Sequence, residues 1–182
     1  SISILKDFPF EQRKVITKII PERNREEAYK WINKKNEPTF IVCPLIDASE
    51  SLSLENVKAA QEEYEILKNG VFKNKSVGLL HGRMKSKEKD EVIRKFREGE
   101  IDVLVSTPVI EVGIDVPDAT IMVIESAERY GLASLHQLRG RVGRSQKEGY
   151  CFAFMSNNSR NSYKRLKYLE ELNSGVDLAE ID

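Results

Sequence analysis

Short apolar runs alternate along the chain with stretches of helical periodicity. The apolar runs are RKVITKII (13–20), PTFIVCP (38–44), SVGLL (76–80), IDVLVST (101–107), TIMVIES (120–126) and GYCFAF (149–154). Several are apolar at consecutive positions rather than at every second one. A strand of that kind is covered on both faces, as in a parallel sheet between two layers of helices. Between the runs, 24–35 places Ala28, Trp31 and Ile32 on one helical stripe. Residues 55–70 repeat the spacing with Val57, Ala60, Tyr64 and Leu67 and end at Gly70, suited to a C-terminal cap. Residues 86–100 open at Ser86 as N-cap, bury Val92, Ile93 and Phe96, and stop at Gly99. The segment 162–172 sets Tyr163, Leu166, Leu169 and Leu172 along a docking helix, and the polar 46–56 suits an exposed loop without chemistry.

Strands alternating with helices predict an α/β fold with a doubly wound, mainly parallel sheet. Its 182 residues suit one domain with a small appendage. We divide it into an incoming strand or linker over 1–20, a core unit over 21–160 and a helical tail over 161–182. The openings SISILKDFPF and VDLAEID at the two ends read as interior pieces of a longer protein.

Charge narrows the function classes. Lys plus Arg and Asp plus Glu stand at 29 each, so a polyanion can be met only by a local patch. Two cysteines, Cys43 and Cys151, sit far apart inside apolar runs and read as buried, reduced thiols; with two histidines they do not form a zinc pattern. No apolar run reaches the length of a membrane span, and a cytoplasmic protein is expected.

In doubly wound sheets, ligands gather where strands end and loops lead to helices. On that rule the loops after 80, 106 and 126 share one rim, with His81, Arg83, Ser106, Thr107, Gly113, Asp115, Gln137, Arg139, Arg141 and Arg144 on it. Arg141 and Arg144, three apart, point to one side and Arg139 elsewhere. The pair suits a phosphate, or else a solvated face; the lack of acids between 129 and 147 speaks for the phosphate. Gly113 allows close backbone approach and Asp115 can accept from a ribose hydroxyl, but turns use the same residues. Ser106 and Thr107 either meet a phosphate or cap a helix starting near Pro108. His81 reads as packed or solvent-facing, and Arg83 beside Gly82 as a backbone-phosphate contact or a surface arginine. The chain has no Gly-x-x-x-x-Gly-Lys-Ser/Thr loop and no paired acids after a strand, so phosphate-binding arginines lack a cradle here; one resolution is a nucleotide that sits mainly on another domain, with these arginines reaching across to it.

Three stretches, LLHGRM, VLVSTPVIEVGIDVPDA and HQLRGRVGRS, resemble motifs IVa, V and VI of superfamily 2 helicases, in order. Motif VI is matched at Gln137, Gly140, Arg141, Gly143 and Arg144. The motif IV region, FIVCPLIDASES, and the tail SYKRLKYLEELNSGVDLAEID are similar to the RecG family of bacterial DNA helicases. Transcription-repair coupling translocases share motifs V and VI, and a non-enzymatic docking module is the rival from another class. The resemblance implies the second RecA-like motor domain of an ATP-dependent DNA helicase that remodels replication forks and Holliday junctions. It implies catalytic roles for Arg141, Arg144 and Gln137, and nucleotide contacts from Gly113, Asp115 and the two arginines. DNA contacts fall to Thr107, Gly82, Arg83 and Ser106. The family's second threonine is Pro108 here, which has no N–H or hydroxyl to offer, so Thr107 carries that contact. The implied cofactor is ATP with magnesium, held mainly by a first motor domain. The implied partners are that domain, a wedge domain and branched DNA, with the protein a monomer. The chain alone is expected to be inactive.

Overall fold

β-branched and aromatic runs become six strands in a computed structural model that describes residues 15–46, 53–108, 119–142 and 148–171. They are β1 (Val15–Ile20), β2 (Thr39–Val42), β3 (Val77–Leu80), β4 (Val103–Ser106), β5 (Ile121–Ile124) and β6 (Gly149–Phe154). Every pairing is parallel, and the spatial order is β1-β6-β5-β2-β4-β3. The helices are α1 (Arg25–Lys35), α2 (Leu54–Asn69), α3 (Ser86–Arg97), α4 (Leu132–Arg139) and α5 (Arg160–Glu171), with single 3-10 turns at Glu22–Asn24 and Ala127–Arg129.

The consecutive apolar positions now have a cause. All residues of β2, β4 and β5 are buried, because helices cover both faces of the centre. Phe40, Leu104, Met122 and Ile124 pack toward Ile93, Leu132, Leu135 and Leu166 of α3, α4 and α5. Ile41, Val105, Val123 and Phe154 pack the other way, toward Tyr29, Ala60 and Leu67 of α1 and α2. Each fully buried side chain of this size contributes roughly 1.5–3 kcal/mol. Cys43 and Cys151 are buried and free, and burial pushes the Cys151 thiol up to about 12.

Several local expectations are corrected. The buried stripe of α1 is Tyr29 and Ile32, while Trp31 is 38% exposed; the Tyr29 hydroxyl has a buried partner that turns it inward. Helix α3 begins at Ser86 itself, with extended Lys85 as its uncapped N-cap residue. Residues 53–56 are not loop: the Ser53 side chain caps α2 by accepting from the Asn56 N–H, and buried Asn56 accepts from the Ile46 N–H at 2.8 Å. Gly70 ends α2 without a left-handed turn; a Cβ there would lie 2.8 Å from the Ile66 carbonyl oxygen, so close approach requires the glycine. Gly99, at φ +80°, supplies the left-handed residue after α3. Residues 15–20 are a strand of the same sheet, in register with β6.

Candidate functional site

The carboxyl ends of the central strands are level. Cys43 N–H donates to the Ser106 carbonyl at 2.8 Å, Thr107 N–H to Leu80 at 3.1 Å and Glu125 N–H to Val42 at 2.9 Å. His81, Thr107 and Glu125 therefore leave the sheet side by side. Ser106 and Thr107 are fully buried. The Ser106 hydroxyl donates to the Thr107 carbonyl at 2.7 Å, so it braces the strand end from inside. The Thr107 hydroxyl is buried and has no hydrogen-bond partner among the described residues. An unpaired buried hydroxyl costs about 1–3 kcal/mol.

The loop after β3 is organised by His81. Its Nδ1 accepts from the Arg83 N–H at 3.2 Å, and its own N–H donates to the Met84 sulfur at 3.3 Å. Burial lowers the His81 pKa, and nearby Lys89 and Arg83 act the same way against Glu88. A neutral ring that accepts at Nδ1 is a loop staple. Gly82 is buried beneath it and Arg83 is exposed. Lys85 and Lys87 are exposed beside Arg83 at the N-terminus of α3, adding positive charge to the positive end of the helix. The alternation in RMKSKEK was the signal for this cationic edge, and sequence reasoning passed over it.

The expectation of one shared rim fails for Arg139 and Arg141. From the turn at Ala127–Arg129, α4 runs eight residues, about 12 Å, back along the strands. The chain continues through Gly140 into a turn, with Arg141 N–H donating to Leu138 and Val142 N–H to Arg139, both at 3.0 Å. Val142 then bridges Ala119, two residues before β5 begins. Half-buried Arg141 thus sits by the amino ends of β5 and β6, at the opposite end of the sheet from Thr107. Gln137, exposed, lies four residues earlier on the same side of α4. Arg139 turns inward: its guanidinium donates to the Leu169 carbonyl, lies 2.7 Å from His136 Nδ1 and reaches the Thr17 hydroxyl at 3.5 Å. Burial lowers its pKa, and burial then the Arg139 charge lower that of His136. Gly113, Asp115, Gly143, Arg144 and Leu172 lie outside the described residues.

One constellation was missed altogether. Glu125, 5% exposed, accepts from Arg25 Nε at 3.1 and 3.2 Å and from the Tyr29 hydroxyl at 2.7 Å. Arg25 also donates to Glu63 at 3.0 Å. Burial works against the Arg25 charge, but the Glu125 bond outweighs it and the pKa is raised. Burial, then the Glu125 charge, raises Glu63. The cluster ties α1 and α2 to the carboxyl end of β5, where Ser126 adopts a left-handed conformation to start the turn toward α4. In sequence these residues look like surface charges, because 100 residues separate Arg25 from Glu125. Among the described residues, no three His, Cys, Asp or Glu stand together to hold a metal, and no helix is long and apolar enough to cross a membrane.

With this geometry in place, comparison with known proteins gives one consistent result. The profile of the helicase conserved C-terminal domain matches residues 23–146. The ATP-dependent DNA helicase RecG of Aquifex aeolicus is 49% identical, with 100% of this chain and 23% of that protein covered. RecG of Thermotoga maritima is 44% identical, with the same 100% and 23% coverage. The chain spans about a quarter of the length of these relatives. Among solved structures, RecG bound to a three-way DNA junction superposes with a TM-score of 0.72 at 43% identity, over 93% of this chain and 22% of that one. The C-terminal domain of the DEAD-box protein Dbp5 shares the fold, at a TM-score of 0.61 and 23% identity over 88% of this chain and 86% of that one.

Proposed function

We propose, because this chain belongs to the helicase conserved C-terminal domain family, that it is the second motor domain of an ATP-dependent DNA helicase of the RecG kind, acting on branched DNA. The observation that carries the reading is the separation of two cationic ends. Thr107 and Arg83 stand at the carboxyl ends of the strands, and Arg141 stands beside Ala119 at the amino ends. A motor needs one surface for nucleic acid and another for nucleotide. The ten residues 109–118 join the two ends, and Gly113 and Asp115 are among them.

ATP lies between this domain and a first motor domain, which carries the triphosphate and magnesium. Arg141 and Arg144 close the site from this side and stabilise charge on the transferring phosphoryl group, a contribution of roughly 10³–10⁵ in turnover. Gln137, on the same side of α4 as Arg141, aligns with the γ-phosphate, and Gly113 and Asp115 meet the ribose. Thr107 is the contact for a DNA phosphate once DNA binding uncovers its buried hydroxyl, with Gly82 beside it and exposed Arg83 adding charge. Ser106 supports Thr107 from beneath. Such contacts position the duplex without reading its sequence. Closure on ATP and opening after hydrolysis move this grip relative to the first domain's, advancing the DNA. The protein works as a cytoplasmic monomer, with a wedge domain engaging the branch, and the chain alone hydrolyses no ATP.

The test uses the full-length protein. Arg141→Ala and Arg144→Ala should each retain ATP binding and lose hydrolysis; near-normal ATPase in either removes that arginine from the role. A preference for linear duplex over forks in the parent would favour a translocase of the transcription-coupling kind.

A further inference from the structure

We propose that His81 is a positioning residue for DNA binding: its neutral imidazole shapes the turn after β3 and so sets where the Arg83 side chain meets the DNA backbone. This role rests on the reading of Arg83 as a DNA contact and names what holds that arginine in place.

Three hydrogen bonds close the turn over residues 81–84, and all of them use His81. The Met84 N–H donates to the His81 carbonyl at 3.3 Å. The His81 N–H donates to the Met84 sulfur at 3.3 Å, and the Arg83 N–H donates to His81 Nδ1 at 3.2 Å. Any residue at position 81 supplies the first two from its main chain. Only the third needs this side chain, and it is the one that fixes the backbone at Arg83. Arg83 itself is exposed, with Gly82 buried behind it. The turn stands beside Thr107, whose N–H donates to the Leu80 carbonyl at 3.1 Å, so Arg83 and Thr107 lie at the same end of the sheet.

Because Nδ1 accepts, the ring carries its one proton on Nε2 and is neutral. A doubly protonated ring cannot accept; its Nδ1–H would face the Arg83 N–H, and the turn would lose its side-chain bond. Burial favours the neutral form, Glu88 opposes it, and Lys89 and Arg83 act with burial. Among the described residues these are the charged groups of α3 and of the turn that act on the ring; Val77–Leu80 and Val103–Ser106 bring no titratable side chain. Protonation would also add a positive charge near a polyanion, which by itself strengthens binding. The two effects have opposite signs. A ring that acts as an acceptor loses DNA as pH falls, and a ring that acts as a charge gains it.

The experiment measures fork DNA affinity of the full-length helicase at fixed salt, with melting temperatures as control. His81→Gln, whose acceptor is one bond too far out, should weaken binding roughly 2–10-fold, the worth of one net hydrogen bond. His81→Asn, whose Oδ1 takes the place of Nδ1, should restore it. Relative to His81→Asn, the parent should lose affinity between about pH 7.5 and 5.5; a gain overturns the proposal. Arg83→Ala should weaken binding and lower the salt slope by about one, and His81→Gln on that background should add nothing. Should Arg83→Ala bind as the parent does, the DNA-contact reading falls and the proposal with it. Should Arg83→Ala weaken binding while His81→Gln does not, or the two losses add in full, the contact stands and His81 does not position it.

Discussion

The Arg139 guanidinium donates to the main-chain carbonyl of Leu169, and with it α4 is fastened to α5. Leu169 lies near the end of the described part of α5 and is fully buried. The arginine that sits between Gln137 and Arg141 in sequence is therefore a strut beneath them. It holds α4 against α5.

Removing that strut should be costly. Arg139→Met removes the donor to the buried Leu169 carbonyl, at about 1–3 kcal/mol, and the contact with the part-buried His136 ring. Arg139→Lys should recover only part, because an ammonium cannot present a planar fork to several acceptors. Urea unfolding of the chain measures both; an unaltered midpoint for Arg139→Met would mean the strut holds nothing.

Thr107→Val should separate stability from function. The valine keeps the shape and deletes a buried hydroxyl that has no partner among the described residues. The free chain should be as stable as the parent or up to about 1 kcal/mol more so, while the full-length helicase should lose DNA affinity and DNA-stimulated ATPase. A destabilised chain with normal DNA binding would contradict the assignment.

Arg25→Met leaves Glu63 and Glu125 facing each other without their cation. The loss should be about 2 kcal/mol, less than the 3–5 typical of a fully buried pair because Arg25 is part exposed. Adding Glu125→Gln should restore part of it, a coupling that a double-mutant cycle in urea reads directly. Strict additivity would show that the three charges do not act as a unit.

The histidines set an acid-side limit. Both His81 and His136 have pKa values lowered in the fold, first by burial. The unfolded chain then takes up protons more readily, so their stabilising contribution is full above the ordinary histidine value and is lost as pH falls below about 6.5. His81→Asn and His136→Asn should each flatten the fall in melting temperature between roughly pH 7 and 5. A variant that keeps the parent's slope would exclude that histidine as the cause.

The sheet was legible in sequence because burial on both faces writes itself as consecutive apolar residues, as in FIVC and IMVI. The three helicase motifs were legible because glycine and arginine spacing is itself the signal. What could not be read was the distance α4 travels. Sequence places Arg141 a few residues after a strand end, and eight helical residues carry it to the other end of the sheet. Trp31 was assigned inward on periodicity alone, since nothing local reveals that α1 leaves β1 uncovered. The Arg25–Glu125 pair depends on a contact across 100 residues, which no local pattern encodes.

The pairing of β1 with β6 joins the first strand to the last among the described residues. On the ribosome, Val15–Ile20 emerges well over a hundred residues ahead of its neighbour and must wait unpaired. A parallel sheet wired this way has high contact order and closes slowly. Any chain halted before Gly149 would carry an unsatisfied, apolar β1, a ready seed for aggregation until synthesis is complete.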